Sequence, residues 1–346
     1  MSARRVRIEQ FDQDILVEAG DTILSSALAA GIDYPFLCQQ GQCGSCKSYL
    51  ISGSVDMGSF YNPMVLTDHE RSRGIILACQ AQPLEDCIVS VADLGGEISH
   101  VVREIECSVD TIAHPASDIT VIQLRNRSGQ PFIFSAGQYA HLTFPGQPAR
   151  EYSMANRPDI DLLEFHIRHL TGGRVSGHVA RDLVAGASVN LRGPFGTAYL
   201  REEHLGPILL GAAGSGLAPI QSIAETALAN GLKQRLHLYF GVRDRDNLYH
   251  QERLADLTRR YPNLSVTVAL SEPSSDAGGY RVGNLSSVIA ADFDDLTDYH
   301  VYLAGPPAFC DAAHHVVLER GLTSDSCFMD PFVTNKTMGG HDEVRS

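Results

Sequence analysis

Positive charge is scarce in this 346-residue chain. Its 27 Lys and Arg stand against 41 Asp and Glu, a formal net charge of −14, and the pI is about 5.4. That balance argues against a nucleic-acid partner, because phosphate contacts need clustered cations. Long apolar runs are missing as well. The longest, "ILLGAAGSGLAPI", is interrupted by glycines and falls short of the roughly 20 residues of a membrane span. The opening, "MSARRVRIEQFDQDILVEAG", carries Arg but no apolar core segment, so no secretory signal is read. A soluble, cytoplasmic protein without a membrane partner is expected. Internal repeats and low-complexity blocks are also lacking. What remains is 44% apolar residues, enough for packed cores rather than disorder. The length suits two or three domains.

Eight cysteines are present, and in a long chain without a secretion signal a cluster of them reads as a metal site. "FLCQQGQCGSCKSYL" holds Cys38, Cys43 and Cys46. Cys79 follows alone in "IILACQAQP". C-x4-C-x2-C with one distant partner is the plant-type [2Fe–2S] spacing. Two sulfide-bridged irons need four thiolates; a tight loop supplies three and a remote residue closes the cage. Gly41 and Gly44 suit a backbone that wraps closely around such a cluster. A structural zinc site would favour short Cys pairs on both sides, which the solitary Cys79 does not provide. Cys87, Cys107, Cys310 and Cys327 are scattered and read as small buried hydrophobes.

The pattern along the chain changes twice. Up to about residue 94, "RRVRIEQF" and "QDILVEAG" read as a hairpin, and "TILSSALAAG" as a helix stopping at Gly31. "LGGEISHVV" reads as a linker. "DITVIQLRN", "QYAHLTF", "LLEFHIRHL" and "SVNLRG" then follow as short strands spaced for a small barrel. After Gly206, "PILLGAAGSGLAPIQSIAETALANG", "RLHLYFGVR", "LSVTVALSE" and "HVYLAGPP" give the strand, glycine turn, helix rhythm of a parallel sheet. Charge is uneven. Residues 1–99 hold 6 Lys and Arg against 13 Asp and Glu, a net of −7. Such an acidic segment can steer a less acidic partner toward it.

Residues 1–94 resemble a plant-type ferredoxin. The order that follows resembles the reductase components of bacterial multicomponent oxygenases, in which an N-terminal ferredoxin is joined to a ferredoxin–NADP reductase-like module. The resemblance covers almost the whole chain. It implies a multidomain α+β and α/β architecture: a β-grasp ferredoxin over 1–94, a six-stranded antiparallel flavin-binding β-barrel over 102–203, and a parallel-sheet nicotinamide-binding domain over 204–340.

The same resemblance implies site residues. "REYS" matches the R-x-Y-S flavin motif. Arg150 would hold a pyrophosphate oxygen, Tyr152 would stack on the flavin or bond its ribityl chain, and Ser153 would reach N5. In "HIRHLTGGRVSGHVA", the stretch His166, Ile167 and Arg168 follows at the family's distance. Gly173, Val175 and Ser176 there resemble its phosphate-facing helix start. As metal ligands, His166, His169 and His178 are not favoured; they read as strand or surface residues. "GPFG", Gly193 to Gly196, matches the turn before the next domain. FAD rather than FMN is implied by the N-terminal position of the ferredoxin.

For the nicotinamide, Gly214, Gly216 and Pro219 follow the apolar strand "PILLG", the context a dinucleotide turn requires. "YFGVRDRDNLYHQERL" resembles the ribose-contacting segment through Gly241 and Arg243. Arg243 and Arg245 suit a 2′-phosphate and Asp244 and Asp246 oppose one; NADH is expected, with NADPH the alternative. "YLAGPPAFCDAA" resembles the C-G-P-P-x-M motif that sets the nicotinamide beside the flavin. Gly305, Pro306 and Pro307 match, Ala304 replaces the usual Cys, and Cys310 falls where Met is common. In "CFMDPFVT", Phe332 is carried over as a ring over the flavin. Ser153, Ala304 and Phe332 are thus the expected catalytic positions.

These motifs in one order make an electron chain from NADH through FAD to the cluster, and on to a terminal oxygenase or an intermediate ferredoxin. Two other readings stay open: a reductase for another acceptor, such as a sugar-deoxygenation enzyme, and a redox-sensing iron–sulfur flavoprotein.

Overall fold

The computed structural model describes residues 3–11, 13–32, 34–36, 39–41, 44, 46–62, 65–91, 100–274 and 277–332. They fall into two compact units, one holding the described residues up to Val91 and the other those from His100 to Phe332. Among the described residues, no helix is long and apolar enough to cross a membrane.

The first unit contains β1 (Arg4–Ile8), β2 (Gln13–Val17), α1 (Ile23–Ala29), β3 (Lys47–Ser52), β4 (Val55–Asp56), α2 (Asp68–Ser72), β5 (Ile75–Leu77), β6 (Gln82–Pro83) and β7 (Cys87–Val91). The expected hairpin is β1 against β2, with Val6 opposite Ile15. The sheet runs β2-β1-β7-β3-β5, and β1 pairs β7 in parallel. Alternation along the strands turns Val6, Ile8, Ile15, Val17 and Val89 inward, against Ile23, Leu24 and Ala27 of α1. Thr22 starts that helix: its hydroxyl accepts from the Ser25 N–H, while the Ser25 hydroxyl accepts from the Thr22 N–H, a reciprocal cap. Gly31 ends it with a φ of +75°, a backbone state that costs glycine little. This mixed sheet across one helix is the expected β-grasp arrangement.

The second unit opens with β8 (Arg103–Ala116), β9 (Ile119–Asn126), β10 (Tyr139–Thr143), β11 (Arg150–Ser153), β12 (Leu162–Arg168), α3 (Arg174–Arg181) and β13 (Ser188–Phe195). These six strands lie in the order β11-β10-β13-β8-β9-β12, every pairing antiparallel. A bridge between Met154 and Phe165 joins the two edges and nearly closes the sheet into a barrel. Ile105, Leu124, Leu142, Phe165 and Leu191 fill it.

The parallel layer follows: β14 (Ile208–Ala213), α4 (Leu217–Ala229), β15 (Leu236–Val242), α5 (Gln251–Arg260), β16 (Leu264–Leu270), β17 (Arg281–Val282), α6 (Leu285–Asp292), β18 (His300–Gly305), α7 (Pro307–Glu319) and β19 (Cys327–Pro331). The sheet order is β17-β16-β15-β14-β18-β19, all parallel. Its strands read as continuous apolar runs because both faces are covered. Leu210, Leu238 and Phe240 pack under α4 and α5, in one core with Ile119, Val121 and Ala136 of the barrel segment. Leu209, Tyr239 and Leu303 pack on the other face under α6 and α7. The chain reverses direction across the sheet between β14 and β18, so ligands belong at the carboxyl ends of those two strands.

Candidate functional site

Of the four cysteines expected to hold a cluster, Cys38 and Cys43 lie outside the described residues. Cys46 and Cys79 are both buried. Pairing of Lys47 with Leu77 brings their segments together, and the Ala78 N–H donates to the Cys46 carbonyl. The Gln80 side-chain amide donates to the Cys79 sulfur at 3.7 Å. The loop leading into Cys46 demands glycine. Gly41 has a φ of +72°, and a Cβ there would sit 2.6 Å from that of Tyr61. Gly44 has a φ of +77° and lies against Val65. Two buried thiols beside a crowded glycine loop fit an iron–sulfur cluster. Neighbouring Phe60 is 85% exposed.

In the second unit, Arg150 to Ser153 form β11. The Ser153 hydroxyl, nearly buried, donates to Asp330 Oδ2 at 2.8 Å. Burial pushes the Asp330 carboxyl up to about 6, against the opposing pull of the Ser153 hydroxyl. Asp330 lies on β19 opposite Ala304 of β18, and the Phe332 N–H donates to the Gly305 carbonyl at 2.8 Å. Ser153, Ala304 and Phe332 are therefore brought to one place, with Asp330 among them. Asp330 was not among the expected residues. Its only sequence signal is a lone carboxylate in the apolar "CFMDPF". Burial also raises the Tyr152 phenol. Arg150 donates to the Ala149 carbonyl at 2.7 Å.

Gly173 precedes α3, and a Cβ there would lie 2.4 Å from the Ser176 hydroxyl. That hydroxyl accepts from the Leu170 N–H, tying the loop to the helix start; Val175 is buried beneath it. No side chain caps α3, so its first N–H groups are available to an anion. On β12, Ile167 is fully buried, while Arg168 reaches Asp118 at 3.3 Å.

The two glycine turns interlock at the carboxyl ends of β14 and β18. A Cβ on Gly216 would lie 2.0 Å from the Ala304 carbonyl oxygen, and one on Gly305 2.7 Å from that of Ala213. Gly214 has a φ of +56° and Gly305 of +141°. Pro219 is buried in the first turn of α4, where a missing N–H costs nothing. Pro306 leads into α7. The Cys310 thiol, pushed well up by burial, donates to the Gly305 carbonyl. At the end of β15, Arg243 faces Glu272 at 3.8 Å, both exposed. The Asp244 carboxylate caps the next turn, accepting from the N–H of Arg245 and of Ser274. A cradle that a single Cβ would fill, beside a helix start, fits a dinucleotide.

His166, buried like its neighbours Phe165 and Ile167, turns its ring away from the barrel core toward Tyr249 and His250. Glu164, His166 and His250 offer metal-ligand atoms within 4.8 Å of one another. Their positions are already taken, however. Glu164 Oε1 accepts from Arg253 at 2.9 Å, Gln221 at 3.2 Å and His166 Nε2 at 3.3 Å. Arg253 also clasps both oxygens of Glu225. Burial alone would raise Glu164; the His166 and Arg253 contacts outweigh it and hold the carboxyl well below its usual range. Burial lowers His166 and takes His250 down to about 3, so both rings are neutral. The chain's own guanidinium supplies the cation here.

Known proteins match this arrangement segment by segment. A 2Fe-2S iron-sulfur cluster binding domain matches residues 6–84, an oxidoreductase FAD-binding domain 106–199, and an oxidoreductase NAD-binding domain 210–315. The reductase component (ferredoxin–NAD(P)+) of the naphthalene 1,2-dioxygenase system of Pseudomonas putida is 38% identical over 94% of this chain and 97% of its own. A CDP-6-deoxy-L-threo-D-glycero-4-hexulose-3-dehydrase reductase of Yersinia pseudotuberculosis is 31% identical over 91% of this chain and 94% of its own. The crystal structure of an Amycolatopsis cytochrome P450 reductase superposes with a TM-score of 0.73 at 33% identity, covering 95% of this chain and 98% of that one. The chain belongs to the family of oxygenase reductase components, oxidoreductases that join a [2Fe–2S] domain to FAD- and NAD-binding domains.

Proposed function

We propose that the chain takes electrons from NADH and delivers them to a terminal oxygenase, directly or through a separate ferredoxin. When bound, NADH supplies two electrons as hydride, FAD accepts the pair, and the [2Fe–2S] cluster passes them on singly. The protein's part is to bind and orient these groups.

Cys38, Cys43, Cys46 and Cys79 hold the cluster in a domain over 1–94. Arg150, Tyr152, Ser153, Ile167, Arg168, Gly173, Val175 and Ser176 hold FAD in a domain over 102–203; His166, expected with them, instead turns its ring to Tyr249 and Glu164. Gly214, Gly216, Pro219, Arg243, Gly305 and Pro306 hold the nicotinamide nucleotide in a domain over 204–340. Ser153, Ala304 and Phe332 face the reacting rings.

The observation that carries this reading is the convergence of Ser153 with Asp330, Gly305 and Phe332 at the sheet's switch point. A flavin held by β11 and a nicotinamide held by the Gly216–Ala304 turns would meet there. Two features favour NADH over NADPH: Glu272 faces Arg243 and Asp244 sits in the ribose segment, both unfavourable to a 2′-phosphate. The cytoplasm is the proposed location. The likeness to a hexulose-dehydrase reductase favours a second reading, delivery to a sugar-deoxygenation enzyme.

One absorption spectrum before and after anaerobic NADH tests the first half. Cluster and flavin bands that both bleach support it; bands that persist overturn it. Substrate-dependent NADH consumption with candidate oxygenases or dehydrases then identifies the acceptor.

A further inference from the structure

The second unit holds a buried relay whose side chains, Glu164, His166 and Tyr249, take no part in the assigned roles. It runs from Glu164 on β12 to His166, to Tyr249, and ends at Gly214 in the nucleotide turn. The Tyr249 hydroxyl lies 3.1 Å from His166 Nδ1 and 3.3 Å from the Gly214 carbonyl. His166 Nε2 lies 3.3 Å from Glu164 Oε1.

Hydrogen accounting makes the two Tyr249 contacts compete. A carboxylate only accepts, so Nε2 of His166 carries the ring's hydrogen. The ring is neutral in its buried setting among Glu164, Arg253, Glu225, Tyr249 and His250. Its Nδ1 is therefore an acceptor. Gly214 also offers an acceptor, a carbonyl oxygen. Tyr249 has one hydroxyl hydrogen for both.

The Gly214 carbonyl matters because of the peptide that follows it. In a trans peptide the carbonyl and the next N–H point in opposite directions. A bond holding the Gly214 carbonyl toward Tyr249 therefore aims the Ser215 N–H away from Tyr249, out of the turn. Gly214 sits at a φ of +56°, and its carbonyl also accepts from the Leu217 N–H of the same tight turn, so Tyr249 is the second of two donors that fix its plane.

We propose that Tyr249 is a positioning residue that sets the Ser215 N–H for the nucleotide's phosphates, and that His166 weakens this hold by competing for the hydroxyl hydrogen. Barrel strand β12 thereby tunes nucleotide affinity. The proposal rests on the reading of Gly214 to Gly216 as the nucleotide turn.

The test uses the FAD- and cluster-loaded protein, with NADH-to-ferricyanide kinetics as readout. Tyr249→Phe should raise KM for NADH about 2- to 10-fold, the worth of one neutral hydrogen bond, with kcat within twofold. His166→Leu hands the hydrogen wholly to Gly214 and should lower KM. The double variant should follow Tyr249→Phe. An unchanged KM in Tyr249→Phe, or an unchanged or raised KM in His166→Leu, overturns the proposal; a network that merely packs would shift both variants the same way. Should Tyr249→Phe fail to load flavin, NAD+ binding to His166→Leu decides alone: tighter binding supports the proposal and weaker or equal binding sinks it. Gly216→Ala separates the two readings. If it leaves KM for NADH untouched, the assignment of the turn fails first.

Discussion

The Ser153 hydroxyl donates to the Asp330 carboxylate at 2.8 Å across 177 positions of sequence. This bond joins the end of a barrel strand to the end of the last strand of the parallel sheet. Burial pushes the Asp330 carboxyl up to about 6. An acid whose folded value lies above its unfolded one of about 3.9 binds its proton more tightly when folded. Its contribution to stability is full below the unfolded value and lost as pH rises through 6. The difference of about two units corresponds to a cost on the order of 3 kcal/mol at neutral pH. Asp330→Asn carries no such charge. Thermal unfolding at pH 5 and pH 7.5 should show wild type losing stability relative to the variant at the higher pH. Parallel behaviour at both would remove the ionisation argument.

Gly216→Ala should abolish NADH reduction without emptying the flavin site. The added Cβ would meet the backbone oxygen of Ala304 at 2.0 Å, and backbone cannot step aside as a flexible side chain can. The expected result is an unaltered flavin spectrum, an unaltered cluster spectrum and a flavin that NADH no longer bleaches. Normal bleaching would show that this contact yields.

Cys79→Ser tests whether the modules work separately. The Cys79 sulfur accepts from the Gln80 amide beside the Cys46 segment, in a unit with its own core. The variant should lose the cluster's visible absorption and its delivery of electrons to the protein acceptor. NADH-to-ferricyanide reduction, which needs only the second unit, should keep at least half its rate. Loss of both activities would count against separable modules.

Much of this architecture was legible because local chemistry announces it. Thr22 and Gly31 mark the two ends of α1. The apolar run "PILLG" ahead of the glycine turn at Gly214 reads as a strand. The cysteine spacing named its cargo directly. Asp330 and Tyr249 were not legible, for a different reason. Each acts on a partner far along the chain: Asp330 meets Ser153 only where the parallel sheet packs on the barrel, and Tyr249 meets Gly214 only where the segment after β15 folds beside the turn after β14. His166 shows the same limit from the other side. It belongs to a recognisable stretch, yet its ring points into the seam, because alternation along β12 sends adjacent side chains to opposite faces.

The first unit's charge should make delivery salt-sensitive. Its net of −7 over residues 1–99 is half the whole chain's, and charges beyond about 8 Å are screened at physiological ionic strength. Reduction of the protein acceptor should fall as salt rises from about 0.05 to 0.5 M, through a slower encounter. Reduction of ferricyanide by the same preparation should not follow that fall. A flat response with the protein acceptor would remove the docking role of the acidic face.

Glu272 offers a way to change the coenzyme. Arg243 at the end of β15 faces it at 3.8 Å, with both side chains more than half exposed. Solvent makes such a pair weak, so its effect on stability should be small. Its effect on a ligand is another matter. A 2′-phosphate brought to Arg243 would meet the Glu272 carboxylate at the same distance scale, and like charges there repel. Glu272→Ser removes the repulsion and leaves the guanidinium unopposed. The ratio of kcat/KM for NADPH to that for NADH should rise about tenfold, mostly through KM for NADPH, with little change in melting temperature. An unchanged ratio would mean that Asp244, fixed by its bonds to the Arg245 and Ser274 N–H groups, excludes the phosphate by itself. Asp244→Ser in the Glu272→Ser background would then be the variant that admits it.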